Sequence, residues 1–357
     1  MSKVYRALGL MSGTSLDGVD VAVIETDGER LVRSGESHTL YFSPEVRRGL
    51  EATMREALAW NFEGPAPNGF AAAEDVLDRV HAEAVEALGA DVDVVGYHGQ
   101  TVLHRPDKRK TLQLGDGQRL ANALGVPVVH DFRSEDVARG GQGAPLAPVY
   151  HRALTRQSGL QGVTAILNLG GVGNITVVDS DSLLASDTGP ANGPLDTWLG
   201  DIDHGGATSQ AGQPDFGLIG QWLDAPFFRR DWPKSADRYD FDVQDEMVGM
   251  TKADGAATLA AFAALSVRHT VQRMGVQPDR LIVCGGGRRN RTMMTLLSLE
   301  LGCDVLPAEA LGWDSDAIEA QAFAFMAVRV LRGLPNSFPT TTGVPQPVVG
   351  GVVSRPL

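Results

Sequence analysis

The sequence predicts an α/β protein made of two related lobes, on three observations. Short apolar runs of strand period alternate with longer runs of helical period, the pattern of mixed sheets flanked by helices. A strand–turn–strand unit with a glycine-rich, small-polar turn occurs twice, about half a chain apart: Val4–Leu10, MSGTSLDG, Val19–Thr26, and then Val163–Leu169, GGVGN, Ile175–Asp179. At 357 residues the chain can bury a separate core in each lobe.

In order, a third strand is expected over Leu31–Phe42. Ser43 as N-cap and Pro44 at the first helical position start a helix reaching Trp60. A Pro/Gly loop precedes a helix over Ala71–Leu88, whose Val76, Leu77, Val80, Ala84, Val85 and Leu88 share one face. Strands follow at Asp91–Tyr97, Thr111–Leu114 and Val126–His130, with HGQT read as a loop and a helix over Asp116–Leu124 closed by Gly125. In the second half, residues 187–241 read as a long irregular region, the kind of loop that carries function. A helix over Gly255–Met274, a strand at Arg280–Cys284, a helix after GGGRRN to Leu301, a strand at Cys303–Leu306 and a helix capped by Asp314 or Ser315 and reaching Leu331 complete the pattern. The tail from Gly333 reads as extended coil.

Composition narrows the function classes. A net charge of −13 argues against a nucleic-acid binder, and the only basic cluster, Arg105–Lys110, reads as a solvated turn. Two cysteines, Cys284 and Cys303, give neither a disulfide framework nor zinc spacing. The longest apolar stretch, Ala256–Val267, is too short to span a bilayer. The expectation is a soluble, cytoplasmic protein.

The familiar nucleotide devices are missing. None of the five lysines follows a glycine, so there is no P-loop, and no G-x-G-x-x-G follows a strand. A different phosphate device is present. Gly13, Thr14 and Ser15, with Asp17 and Gly18 following, sit at one hairpin turn, and Gly170, Gly171 and Gly173 at the other. Small residues admit close backbone approach, and successive N–H groups form an anion-binding concavity. Each turn alone reads as a tight turn; the pair, with a third glycine run at Gly285–Gly287 after a strand, reads as a polyphosphate clamp with a backbone wall for adenosine. Asp17 is the candidate for holding a metal ion through water.

The catalytic candidate is Asp187, in ASDTGPANGPLD. Phosphoryl transfer needs a carboxylate that orients and deprotonates the attacking group. Spacing alone reads Asp187 equally as that base or as a turn cap through Thr188 or Gly189.

LGLMSGTSLDGVDVAVIETDG, YHGQT, LQLGDG, DFRSEDVARGGQGAPLAP, LNLGGVGNIT, SDTGPANGPLD, VCGGGRRN and DAIEAQAFAFMA, in this order, closely resemble the anhydro-N-acetylmuramic acid kinases over nearly the whole chain. Two positions depart from that pattern. Ala191 replaces the usual glycine, and Lys234–Phe241 reads KSADRYDF where many members have a KSTGRE-like segment, which puts specific contacts by Lys234 or Arg238 in doubt.

The resemblance implies a two-lobed actin-like (ribonuclease H-like) ATPase fold with an interlobe cleft. It implies a first lobe over residues 1–130, to which the tail at 335–357 returns, a second over 131–334, and a hinge near 131–141. The implied reaction consumes ATP, with Mg2+, water and 1,6-anhydro-N-acetylmuramic acid, and gives N-acetylmuramic acid 6-phosphate and ADP in cell-wall recycling; a cytoplasmic homodimer is implied with it. Carried onto this sequence, the nucleotide residues are Gly13, Thr14, Ser15, Leu16, Asp17, Gly18, Val19, Asp20, Gly170, Gly171, Asn174, Gly285, Gly286 and Gly287. The sugar residues are Ser12, His98, Gly99, Gln100, Thr101, Arg133, Gln142 and Glu319. Read plainly, His98 is a turn histidine, Arg133 a brace for Asp136, and Glu319 a helix-surface acid. The competing functions are an ordinary hexose or amino-sugar kinase, whose base acts on a free hydroxyl, and an ATP-driven chaperone or filament subunit on the same fold.

Overall fold

A computed structural model of the chain describes residues 3–236 and 238–357. Side-chain placements for Arg238 and Tyr239 lie outside the described set, and the expected contacts of Arg238 with them. The chain divides into two units, Met1–Ser158 with Ala317–Leu357, and Gly159–Asp316. The first runs β1 (Tyr5–Ser12), β2 (Gly18–Thr26), β3 (Val32–Tyr41), α1 (Pro44–Trp60), α2 (Gly69–Leu88), β4 (Val94–Arg105), β5 (Lys110–Leu114), α3 (Gly117–Leu124), β6 (Val128–His130), α4 (Ser134–Ala138) and α5 (Pro148–Gln157). The second runs β7 (Thr164–Leu169), β8 (Val172–Val178), β9 (Leu183–Pro190), α6 (Asn192–Leu199), α7 (Ala207–Ala211), α8 (Phe216–Leu223), α9 (Pro226–Arg229), α10 (Lys252–Arg273), β10 (Arg280–Cys284), α11 (Arg291–Leu301) and β11 (Asp304–Pro307). The chain then returns to the first unit with α12 (Ile318–Leu331), α13 (Pro339–Thr342) and β12 (Val352–Ser354).

Both sheets are built to one plan. In the first, β3-β2-β1 is an antiparallel meander, and β1 continues parallel to β4 and β4 parallel to β6, with β5 paired to β4 and β12 antiparallel to β6. In the second, β9-β8-β7 is the meander, and β10 and β11 follow in parallel. The duplicated hairpins read from the sequence are thus the first two strands of two copies of the same five-strand order.

The central strands β1, β2, β4, β7 and β10 are largely buried because both of their faces are covered. Leu8 and Leu10 of β1 join Val21, Val23, Val95 and Tyr97 in a core with Val80 and Ala84 of α2. Truncating Leu8 or Leu10 to alanine would cost roughly 2–5 kcal/mol. The alternate residues face α12, which lies on bare backbone: a Cβ at Gly9 would come within 2.6 Å of Ala324 N, and one at Gly96 within 2.7 Å of the Phe323 carbonyl carbon. In the second unit, β7, β8 and β10 pack on the alanine-rich α10, whose buried residues run on all sides from Gly255 to Val271. The helix signals work as expected where they are strong: Ser43 Oγ accepts from Val46 N, and Asn61 ends α1 in the left-handed region at φ 48°.

Six expectations differ from the structure. HGQT is not a loop but the middle of β4, which extends the Val-rich strand to Arg105 by pairing with β5. Asp187 lies inside β9, not in a turn after it. Residues 187–241 hold the short helices α6 to α9, which their Pro and Gly content hides. Neither Asp314 nor Ser315 caps α12, which starts at Ile318 after Ala317, and the tail forms α13 and β12. The unit boundaries fall after Ser158 and Asp316 rather than at 130 and 334, because α4, α5 and α12 belong with the first sheet.

Candidate active site

The first unit carries the predicted sugar residues. Ser12 ends β1 fully buried, and its hydroxyl donates to Gln100 Oε1 at 2.6 Å. Gln100 Nε2 in turn donates to the Gly13 carbonyl at 3.2 Å, so β4 fixes the start of the first glycine turn. Across that turn Leu16 is buried at φ 56° and donates its N–H to Gly13 O at 3.2 Å, leaving Thr14, Ser15 and Asp17 at the exposed tip. Asp17 pairs with Arg47 at 3.5 Å. Gly18, Val19 and Asp20 open β2, where Asp20 accepts from Thr39 Oγ1 at 2.7 Å.

His98 is buried beside Gly99, Gln100 and Thr101 on β4, its ring 4.7 Å from that of Phe323. Its Nε2 accepts from the Arg133 guanidinium, at 3.2 Å from Nε and 3.0 Å from Nη2. Burial first and the Arg133 charge second hold this histidine well below its usual titration range, so it is a neutral acceptor. Arg133 Nη1 also donates to the Gly143 carbonyl at 2.7 Å, next to Gln142. Glu319, in the first turn of α12, keeps an exposed side chain. Desolvation of its carboxyl by the surrounding protein, with the Asp20 charge, raises it above the usual range, and Arg133 opposes the shift.

The second unit brings the two later glycine runs together. The Gly170–Gly171 turn joins β7 to β8, and the start of α6 is laced to it: Asn192 N–H donates to Gly170 O at 2.9 Å, Gly193 N–H to Gly171 O at 3.1 Å and Asn192 Nδ2 to Leu169 O at 2.9 Å. Gly285 ends β10 at φ 75°, where a Cβ would come within 2.7 Å of Leu169 O. At Gly287 a Cβ would meet Leu169 Cβ at 2.6 Å and Asn192 Oδ1 at 2.9 Å, while Gly286 stays exposed. One surface of backbone therefore joins 170–171, 192–193 and 285–287, the shape a phosphate or nucleoside can approach closely.

Asp187 lies opposite Asn174 in the β8–β9 register and is 8% exposed. A neighbouring segment holds it: Asp187 N–H donates to Lys234 O at 2.9 Å, and Ala236 N–H donates to Asp187 Oδ2 at 2.8 Å. A main-chain donor on one carboxylate oxygen fixes its orientation, which a general base requires. Asn192 and Lys234 are the residues the sequence reading did not place. Asn192 hid in a run read as loop, and the contacts of Lys234 lay in a segment that departs from the family pattern.

Two copies of one sheet order, each opening on a glycine turn, define the fold as an α/β protein of the duplicated actin-like class. The family profile described as anhydro-N-acetylmuramic acid kinase matches residues 5–356. Proteins named anhydro-N-acetylmuramic acid kinase are 48% identical in Methylorubrum populi (98% of this chain, 99% of that one), 48% in Bradyrhizobium diazoefficiens (99% and 100%) and 49% in Rhizobium rhizogenes (97% and 98%). The chain belongs to the anhydro-N-acetylmuramic acid kinase family.

Proposed function

We propose that the chain phosphorylates 1,6-anhydro-N-acetylmuramic acid with ATP while opening its anhydro ring by hydrolysis. The observation that carries the reading is Asp187: a buried carboxylate oriented by a main-chain donor, in a string that the family match covers. The substrate has no free 6-hydroxyl, since O6 is bonded to C1. Asp187 takes a proton from water as that water forms a bond to C1. The C1–O6 bond breaks, O6 bonds to the terminal phosphorus, and ADP leaves, giving N-acetylmuramic acid 6-phosphate. Asp187 then returns the proton to solvent.

Around that step, the backbone of Gly170, Gly171 and Gly285–Gly287 binds the nucleotide with Asn174, and the Gly13–Asp20 hairpin binds phosphate. His98, Gln100, Thr101, Ser12 and Gln142 hold the sugar hydroxyls, and Arg133 pairs with the lactyl carboxylate. Glu319 accepts hydrogen bonds from the sugar. Among the described residues no three His, Cys, Asp or Glu side chains converge as a metal cage. Asp17 would hold a magnesium ion brought with the phosphates, and that ion would offset phosphate charge. ATP is a cytoplasmic reagent, which supports a cytoplasmic location, and the family resemblance supports a homodimer, checked by sedimentation. Among the described residues no helix is long and apolar enough to cross a membrane.

The test is a product assay in oxygen-18 water. Label at C1 of a 6-phosphorylated product is the expected result. An unlabelled product, or preference for free N-acetylmuramic acid over the anhydro sugar, would show an ordinary kinase instead.

A further inference from the structure

We propose that Lys234 is a positioning residue for this reaction: its buried ammonium, pinned to the Phe227 carbonyl, sets the backbone that orients the Asp187 carboxylate. The inference rests on the reading of Asp187 as the base. Lys234 and Ala236 are both bonded to β9. Lys234 N–H donates to Ser186 Oγ at 3.2 Å, Lys234 O accepts Asp187 N–H, and Ala236 N–H reaches Asp187 Oδ2. Whatever sets the path of this segment therefore sets the carboxylate.

The Lys234 side chain sets that path. It is 3% exposed; its Nζ donates to Phe227 O at 3.0 Å and lies 4.2 Å from the Phe227 ring centroid and 5.5 Å from that of Phe228. On the same segment Arg230 Nη2 donates to Ser235 O at 3.0 Å, and its guanidinium lies 4.8 Å from the Phe227 ring. Among the described residues no carboxylate lies within ion-pair distance of Nζ. An apolar side chain would fill this space at lower desolvation cost, and one acceptor with two aromatic faces offsets only part of that cost. A cation kept there needs a reason, and the carboxylate it serves through two peptide units supplies one.

The charged groups around Lys234 agree with this. Burial brings its pKa down to about 8, Arg230 and Arg273 push in the same direction, and Asp187 pulls it back up. Arg273 is itself paired with Asp231 at 2.8 Å, and His269 Nε2 lies 3.1 Å from Phe228 O. Lys234 and Asp187 thus feel each other's charge, and losing the ammonium makes the carboxylate harder to ionise.

The test is steady-state kinetics of the full-length enzyme over a pH series, with parent, Lys234→Met, Lys234→Arg and Asp187→Asn. The Met variant should lose on the order of 10–100-fold in kcat, with both KM values near the parent's and the acid limb of the kcat profile moved to higher pH. The Arg variant should recover most of the kcat and bring the limb back. A Met variant with parental kcat and an unmoved limb, beside an inactive Asp187→Asn, overturns this proposal alone. An active Asp187→Asn overturns the base reading itself. Thermal melting and ATP titration calorimetry establish that each variant is folded. Should the Met variant not fold, the Arg variant decides, since a folded Arg enzyme as poor as Asp187→Asn also overturns the proposal.

Discussion

Thr342 donates its hydroxyl to Asp136 Oδ2 at 2.6 Å, with both side chains sealed from solvent. Asp136 Oδ1 accepts Gly143 N–H at 2.7 Å, and Gln142 N–H donates to Thr342 O at 2.6 Å. The loop carrying Gln142 is thus held by Thr342, 206 positions beyond Asp136, and Arg133 rests on the same loop through Gly143 O. Thr342→Val leaves a buried carboxylate oxygen short of a donor, which costs about 1–3 kcal/mol. Melting curves should show that loss. If about 1–2 kcal/mol of it reaches sugar binding, the KM for the anhydro sugar rises roughly 5–30-fold, while the KM for ATP stays put. Equal rises in both would mean that the latch does not act on the sugar residues.

Asp187→Asn keeps the hydrogen-bonding shape of the side chain but cannot take a proton. Turnover should fall by at least about 10²–10⁴-fold, with ATP affinity retained in calorimetry. Near-normal turnover would end the assignment of the base.

Gly285 combines a left-handed backbone with contact against Leu169 O. Alanine there is strained by about 1–2 kcal/mol before any clash, and the clash displaces the wall formed with Gly170 and Asn192. Gly285→Ala should lower the melting temperature and raise the KM for ATP, with the KM for sugar little changed. A selective effect on sugar would place the nucleoside elsewhere.

Asp78 supplies a pH signature away from the reaction. It accepts from Tyr97 Oη at 3.0 Å and Asp116 N at 3.0 Å, with Arg119 3.3 Å away. Burial outweighs these partners and raises its pKa from 3.8 to about 6. The folded state therefore binds this proton more tightly than the unfolded state. The associated stability is complete below about pH 4 and is lost as pH rises through about 6. Allowing for solvent screening near Arg119, the effect is about 1–2 kcal/mol. The melting-temperature difference between Asp78→Asn and the parent should move in the variant's favour from pH 4 to pH 7. A constant difference would refute the assignment.

The strands and the long helices were legible because their signals are local. Ser43-Pro44 starts α1, and the apolar face of Ala71–Leu88 is the buried face of α2. His98–Thr101 was not legible as strand, because these four polar or glycine residues carry no strand pattern of their own, and Gln100 and Thr101 are held in β4 by pairing with β5, twelve or so residues on, and with Ser12 of β1. Asp187 was found by its string, but its place inside β9 depends on Asn174 opposite and on the 234–236 segment, neither of which is adjacent in sequence. The unit boundary was misplaced for the same reason: α12 belongs to a sheet that starts at Tyr5, and only the glycines at 9 and 96 hint at it.

That last feature orders the life of the nascent chain. The helix seated on Gly9 and Gly96 is encoded in residues 318–331, so during synthesis the first sheet waits, its inner face bare, until the later half has been made. Residues 159–316 are contiguous and hold a core of their own, so they can fold while the earlier residues wait. Ribosome-bound chains halted after residue 316 should then resist protease over 159–316 and be cut freely before 158; protection of both would show that the sheet closes without its helix.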